Sequence, residues 1–258
     1  MKLIKVFVAF ILTLCSTSAF CIYLSRADGG GVKIEGAIEP GDYEKFLKFI
    51  RQDFDNYIAF QNKVYLNSPG GDVVEAIRIS NLLKTAYSST LVANNGYCFS
   101  SCFLIWAGGA IRMLPNDGKL GIHRITLSRN EVSVLAAEKV VGPASKSVEE
   151  YLLSTGIPRN IVDKMNETSS ADIFIMDNKW LIKEGYVYSI MFPPTFIDLA
   201  QKQCGPNVLV RASKNEITLG PDDVKNWLLC VNEFKKKNQG VDFKKILRMV
   251  NPDSPLAQ

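Results

Sequence analysis

The run Asn67-Ser68-Pro69-Gly70-Gly71-Asp72 constrains the fold more than any other stretch of this sequence. Ahead of it, Val64-Tyr65-Leu66 reads as a short buried strand. Behind it, Asp72 to Lys84 carries Val73, Ala76, Ile77 and Leu83 on one helical stripe. Pro69 fixes the chain direction, and two glycines accept dihedrals closed to other residues. The alternation continues on both sides. Val32 to Ile38 reads as a strand, and Tyr43, Phe46, Leu47, Ile50 and Phe54 recur at helical spacing. Thr90-Leu91-Val92 is a strand, a helix starts near Ser100 and runs to about Ala107, and Ile111–Leu114 and Leu120–His123 read as short strands. Strand and helix in this order imply βαβ units, parallel strands and the α/β class. Further helices are expected over Ser145–Ser154, Pro158–Met165 and Asn178–Glu184. Pro193-Pro194 marks a boundary, and beyond it Asp222–Phe234 is the clearest helix of an appendage packed on the core.

Sharp strand-to-helix turns also carry chemistry. Free backbone N–H groups at the Pro-Gly-Gly turn can face a developing oxyanion, although a plain glycine turn would look the same. A second turn lies at Gly96-Tyr97-Cys98-Phe99-Ser100-Ser101-Cys102, which runs on into the apolar Phe103 to Gly109. A serine that opens a helix meets the positive end of the helix dipole, which favours an alkoxide-like transition state. Read alone, Ser100 is also an ordinary N-cap. A third motif is Arg112-Met113-Leu114-Pro115-Asn116, followed by Gly121-Ile122-His123-Arg124. His123 is the only histidine in the chain. Histidine serves structural roles too, but it is the usual base for an unactivated serine.

In this order the three motifs resemble the ClpP peptidase family of the ClpP/crotonase superfamily. The likeness covers Val64 to His123 and extends with gaps to about Ile190. It implies a ClpP/crotonase-like ββα superhelix over residues 32–195, with a helical C-terminal extension over 196–258. It implies Ser100 as nucleophile, His123 as general base, and the N–H groups of Gly71 and Ser101 as an oxyanion hole. Ser101 is the rival nucleophile, and the spacing to Gly109 and Arg112 favours Ser100. The third triad position departs from the family. Counting back from Gly185, the register falls on Ile173, with Asp172 one residue away. Asp172 is the candidate partner of His123; Ser169, Ser170 or a bare dyad are the alternatives. The implied activity is that of an exported serine peptidase acting on a peptide or protein, without a cofactor. ClpP-like chains commonly assemble into rings, so the resemblance implies a homo-oligomer. A catalytically silent binding protein on the same scaffold is the competing reading, motivated by the missing in-register acid and by Arg124. An acyl-CoA enzyme of the crotonase type shares the glycine turn but does not need the Ser/His pair.

The chain start supports export. Lys2 and Lys5 precede the apolar run Val6–Leu14, and Ser16, Thr17, Ser18 and Ala19 follow. This is a secretory signal over 1–19, with an uncleaved anchor to about Leu24 as the alternative. Residues 20–31, ending in Asp28-Gly29-Gly30-Gly31, read as a linker. The expected location is the periplasm, or the inner membrane facing it, with membrane proximity through an uncleaved N-terminus. In that compartment Cys98 with Cys102, and Cys204 with Cys230, are disulfide candidates. Residues four apart sit within bridging distance on a helical turn, so the first bridge would rigidify the nucleophile turn. Cys15 leaves with the signal and Cys21 is left over. One histidine gives no Cys/His metal site to expect. Without Lys2 and Lys5 the formal charge falls from +4 to +2, which argues against a nucleic-acid partner.

Overall fold

Four parallel strands form the centre of the fold, paired in the order β2 (Val32–Glu35), β3 (Lys63–Asn67), β4 (Ser89–Val92) and β6 (Ile111–Met113). This is a computed structural model, and it describes residues 22–28, 30–52, 63–126, 134–186, 190–191, 194–206 and part of 208–237. The expected signal over 1–19 lies outside the described residues. Among the described residues no helix is long and apolar enough to cross a membrane.

Two antiparallel strands flank the parallel four. β1 (Tyr23–Arg26) pairs with β2, and β9 (Ile190–Met191) pairs with β6. The linker expected over 20–31 is therefore corrected at Tyr23–Arg26, which form an edge strand. The cause is the apolar run itself: Ile22 is fully buried, its N–H donates to Asp42 Oδ2, and Leu24 packs on the core.

A second sheet stands beside the first. It has the order β5 (Tyr97–Phe99), β7 (Lys119–Ile122) and β8 (Phe174–Met176). β5 and β7 run parallel, and β8 is antiparallel to β7. β5 and β8 are absent from the sequence expectation: Tyr97–Phe99 lies within the stretch read as a turn into a helix, Phe174–Met176 lies between two expected helices, and neither alternates.

Helices α1 (Asp42–Gln52) and α2 (Val73–Thr85) follow β2 and β3. α1 buries Phe46, Leu47 and Ile50; α2 buries Ala76, Ile79, Leu82 and Leu83. Asp72 caps α2, its carboxylate accepting from Glu75 N–H. α3 (Ser101–Ala107) is buried along its whole length, as its uniformly apolar sequence requires. Gly108 lets it approach α2 closely, for a Cβ there would lie 2.2 Å from Ser80 Oγ.

α4 (Val134–Ser154) is longer than the expected Ser145–Ser154 and runs through Pro143. α5 (Arg159–Glu167), α6 (Asn178–Lys183) and α7 (Pro194–Cys204) follow. The C-terminal region packs on the β6 side of the core through Trp227, Val231 and Phe234, which join Ala110, Ile111 and Ala200 in a second apolar cluster. A disulfide between Cys204 and Cys230 ties it together.

Candidate active site

Ser100 occupies the single residue between β5 and α3, and its backbone is unusual there. Its φ is 54° and its ψ −126°, a region that non-glycine residues avoid at a cost of about 1–3 kcal/mol. The turn is held from several sides. Ser100 N–H donates to Gly121 O at 2.9 Å, and Ser100 O accepts from Phe103 N–H at 2.9 Å. The Cys98–Cys102 disulfide brackets the serine, with the two Cα atoms 5.2 Å apart.

This conformation distinguishes a nucleophile from a cap. Asp72 and Asp177 open α2 and α6 with negative φ, and their carboxylates accept helix N–H groups. Ser100 opens α3 with no such bond, leaving its hydroxyl uncommitted. Ser101 differs again: it is 2% exposed, and its hydroxyl is buried without a partner. Of the two serines, Ser100 is the one open to a substrate.

The Pro-Gly-Gly turn packs directly against this elbow. A Cβ at Gly70 would lie 2.5 Å from Phe99 O, 2.8 Å from Ser100 Cβ and 2.9 Å from Ser101 N. Ser68 pairs with Cys98, donating to Tyr97 O and accepting from Phe99 N–H. On its other side the turn pairs with Ile38, which donates to Gly70 O at 2.9 Å and accepts from Asp72 N–H at 2.7 Å. That pairing uses the groups on either side of Gly71 and turns the Gly71 N–H away from Ile38. The N–H of Ser101 is the first of α3 and has no partner within the helix. Gly71 and Ser101 both line the cavity that Ser100 borders.

His123 follows β7 and is half-buried. Its Nδ1 lies 2.8 Å from Arg124 O. A carbonyl only accepts, so Nδ1 carries the proton and Nε2 presents a lone pair. Asp172 is exposed; its N–H donates to Ser169 O, and its carboxylate makes no bond to His123. Arg124 O, rather than Asp172, Ser169 or Ser170, is the atom in contact with His123 Nδ1. This acceptor is a backbone atom that no residue type announces.

Gly71, Ser100, Ser101 and His123 line one cavity of about 150 Å³. Ser100 and His123 share it without a direct hydrogen bond, as is common before substrate arrives. Apart from Thr126, its other walls are apolar: Val73, Phe103, Leu104, Ile122, Ile125, Val148 and Met165. Val148 comes from α4, whose C-terminal end is pinned by Arg112. That guanidinium is fully buried, donates to Thr155 O at 2.6 Å and lies over the Trp106 ring. Burial pulls it down to about 9. Tyr151, one helical turn before Thr155, bonds Ser80 on α2, and burial pushes its phenol up to about 12. These polar contacts fix α4 against α2 and β6, and with them one wall of the cavity.

Residues 53–176 match the family model described as Clp protease. This part of the chain is ClpP-like. Its fold is the ClpP/crotonase-like α/β arrangement expected from the motifs. Among solved structures, the chain is similar to a serine-to-alanine mutant of the 1510-N membrane-bound stomatin-specific protease, at 15% identity. The match covers 69% of this chain and 87% of that one, with a TM-score of 0.45. It is also similar to an asparagine-to-aspartate mutant of ClpP1 from Listeria monocytogenes, at 16% identity, covering 64% of this chain and 92% of that one, with a TM-score of 0.46. No curated protein sequence matches the chain. The matched residues begin upstream of β3 and end with β8, so they include both turns and His123.

Proposed function

We propose that this protein is an exported serine peptidase that works through a Ser100–His123 dyad. The observation that carries the proposal is Ser100 itself: a helix-opening serine at positive φ, withheld from capping and facing His123 across one cavity. Ser100 Oγ attacks the scissile carbonyl carbon as its proton passes to His123 Nε2. The carbonyl oxygen takes the negative charge between the N–H groups of Gly71 and Ser101. Collapse breaks the C–N bond, and Nε2 returns the proton to the leaving amine. Water then repeats the sequence on the acyl-enzyme and frees Ser100. Arg124 O holds the imidazole in the required tautomer throughout.

Export is supported by the basic and apolar N-terminal run and by two disulfides, which persist outside the reducing cytoplasm. Likeness to ClpP supports assembly into a homo-oligomer, which sedimentation reads. The activity test is covalent labelling with a fluorophosphonate probe. The label is expected on Ser100, and to be lost in Ser100→Ala and His123→Ala while Ser101→Ala keeps it. Absence of label on the folded wild-type protein near neutral pH would favour a silent scaffold instead.

A further inference from the structure

We propose that the Cys98–Cys102 disulfide is the strut that keeps Ser100 in its nucleophilic conformation, so that acylation at this site depends on the thiol redox state. The proposal rests on the serine-peptidase reading for its kinetic arm but has a structural arm of its own. Two backbone states compete at Ser100. In the one seen, φ is positive and the hydroxyl caps nothing. In the other, a helix-opening serine takes negative φ, as Asp72 and Asp177 do, and its oxygen accepts an N–H of the first helical turn. At α3 those N–H groups belong to Cys102 and Phe103. The second state is the ordinary one for this residue at this position, and it consumes the nucleophile.

The disulfide opposes that change through its attachment points. Cys98 is fixed in β5, paired with Leu120 on one side and Ser68 on the other. Cys102 is fixed in the first turn of α3. Both are 0% exposed, inside the main core. The bridge holds their Cα atoms 5.2 Å apart across the one residue that must turn. Extended chain would separate residues four apart by about 13 Å. The wall opposite is equally close: Gly70 leaves no room for even a methyl group. Ser100 is therefore confined between a glycine turn and a covalent bridge. Opening the bridge frees β5 and α3 to adjust, and Ser100 can fall back into its cap.

Reduction is a two-electron exchange. One thiolate of a small dithiol attacks the Cys98–Cys102 bond, forming a mixed disulfide and releasing one cysteine; its second thiol then attacks the mixed disulfide and releases the other. The dithiol supplies the electrons and protons for two cysteine thiols and closes to its own cyclic disulfide. Because both sulfurs are buried, the exchange awaits local opening and needs long incubation.

The test compares oxidised protein with protein incubated in dithiothreitol, with the state of each bridge assigned by peptide mass spectrometry. Fluorophosphonate labelling of Ser100 is expected to slow at least tenfold on reduction. Cys98→Ala/Cys102→Ala is expected to be equally slow and insensitive to the dithiol. Cys204→Ala/Cys230→Ala should keep the oxidised rate and the response to reduction. Amide exchange over Tyr97–Ala107 reads the strut without any chemistry at the serine, and it should quicken at least tenfold on reduction. Exchange that quickens in a protein that never labels keeps the strut and sinks the peptidase reading. Reduced protein with two free thiols that exchanges and labels at the oxidised rate overturns the proposal.

Discussion

Gly71→Ala tests the oxyanion turn most directly. A Cβ at this position would lie 2.0 Å from Ile38 O and 2.9 Å from Ile38 C and N. All three are backbone atoms of a paired segment, so no flexible side chain can swing away. Gly71 also sits at φ 143°, a conformation that an alanine avoids. The substitution must push the turn away from Ile38 and weaken the two bonds that flank it, at 2.9 and 2.7 Å. At about 1 kcal/mol net each, that costs stability about 2 kcal/mol, or about 4–8 °C in melting temperature for a chain of this size. The effect on catalysis is larger. Moving one oxyanion donor out of place costs about 10²–10³ in rate, or about 3–4 kcal/mol. Because that donor acts on charge formed in the transition state, kcat should fall while KM stays within about threefold. The assay is hydrolysis of a chromogenic N-acyl amino-acid ester, with circular dichroism to confirm folding. Gly142→Ala is the control, since its Cβ would meet nothing within 4 Å. A folded Gly71→Ala protein with kcat within twofold of wild type would refute the placement of the oxyanion hole.

Three further outcomes follow from the same geometry. Asp172→Asn should leave ester hydrolysis within about threefold of wild type, because Arg124 O already holds Nδ1; a hundredfold loss would return the acid to the triad. Gly108→Ala places a methyl 2.2 Å from Ser80 Oγ and 2.5 Å from Ser80 O, and thermal melts should show a loss of about 1–3 kcal/mol as α3 is forced off α2. The Tyr151 phenol is pushed up to about 12 by burial, from an ordinary value of 10. The folded state then holds this proton more tightly than the unfolded one. Its contribution is whole below pH 10 and is lost as pH rises to 12. The stability difference between wild type and Tyr151→Phe should therefore fall by up to about 3 kcal/mol across that window in urea titrations.

The fold was legible where a pattern had length to repeat. α2 and the first helix show stripes of four or five apolar residues, and β3 and β4 sit between turn residues that punctuate them. β5 and β8 were not legible, since their three residues form a sheet only because β7 lies between them. β1 was hidden for another reason. Its apolar residues continue a run that reads as a signal, and only the burial of Ile22 against Asp42 assigns them to the domain. α4 runs through Pro143, where a local reading stops. At the site, residue identity was enough to single out Ser100, His123 and Gly71 as candidates, because the chemistry restricts which side chains can serve, and the fold gathers these three around one cavity. The spacing to Gly109 and Arg112 already favoured Ser100 over Ser101, and burial adds a second reason by setting the Ser101 hydroxyl inside the core.

The orienting partner of His123 lay beyond residue identity altogether. β7 and β8 pair Ile122 with Phe174, so one step further sets Ile173 across from His123. Counting along the sequence reaches the same residue, and an isoleucine accepts nothing. The ring turns instead to the carbonyl of the residue that follows it. A carboxylate in this role does two things: it selects the tautomer, and its charge steadies the imidazolium as the proton arrives. A peptide carbonyl does the first and only a fraction of the second. The wrong tautomer is the costlier fault, worth about 10⁴ in rate where it has been isolated. A dyad held by Arg124 O therefore keeps the larger benefit and forgoes the smaller. In the proposed mechanism the N–H groups of Gly71 and Ser101 do not depend on a third side chain, so their share of the rate is kept whole.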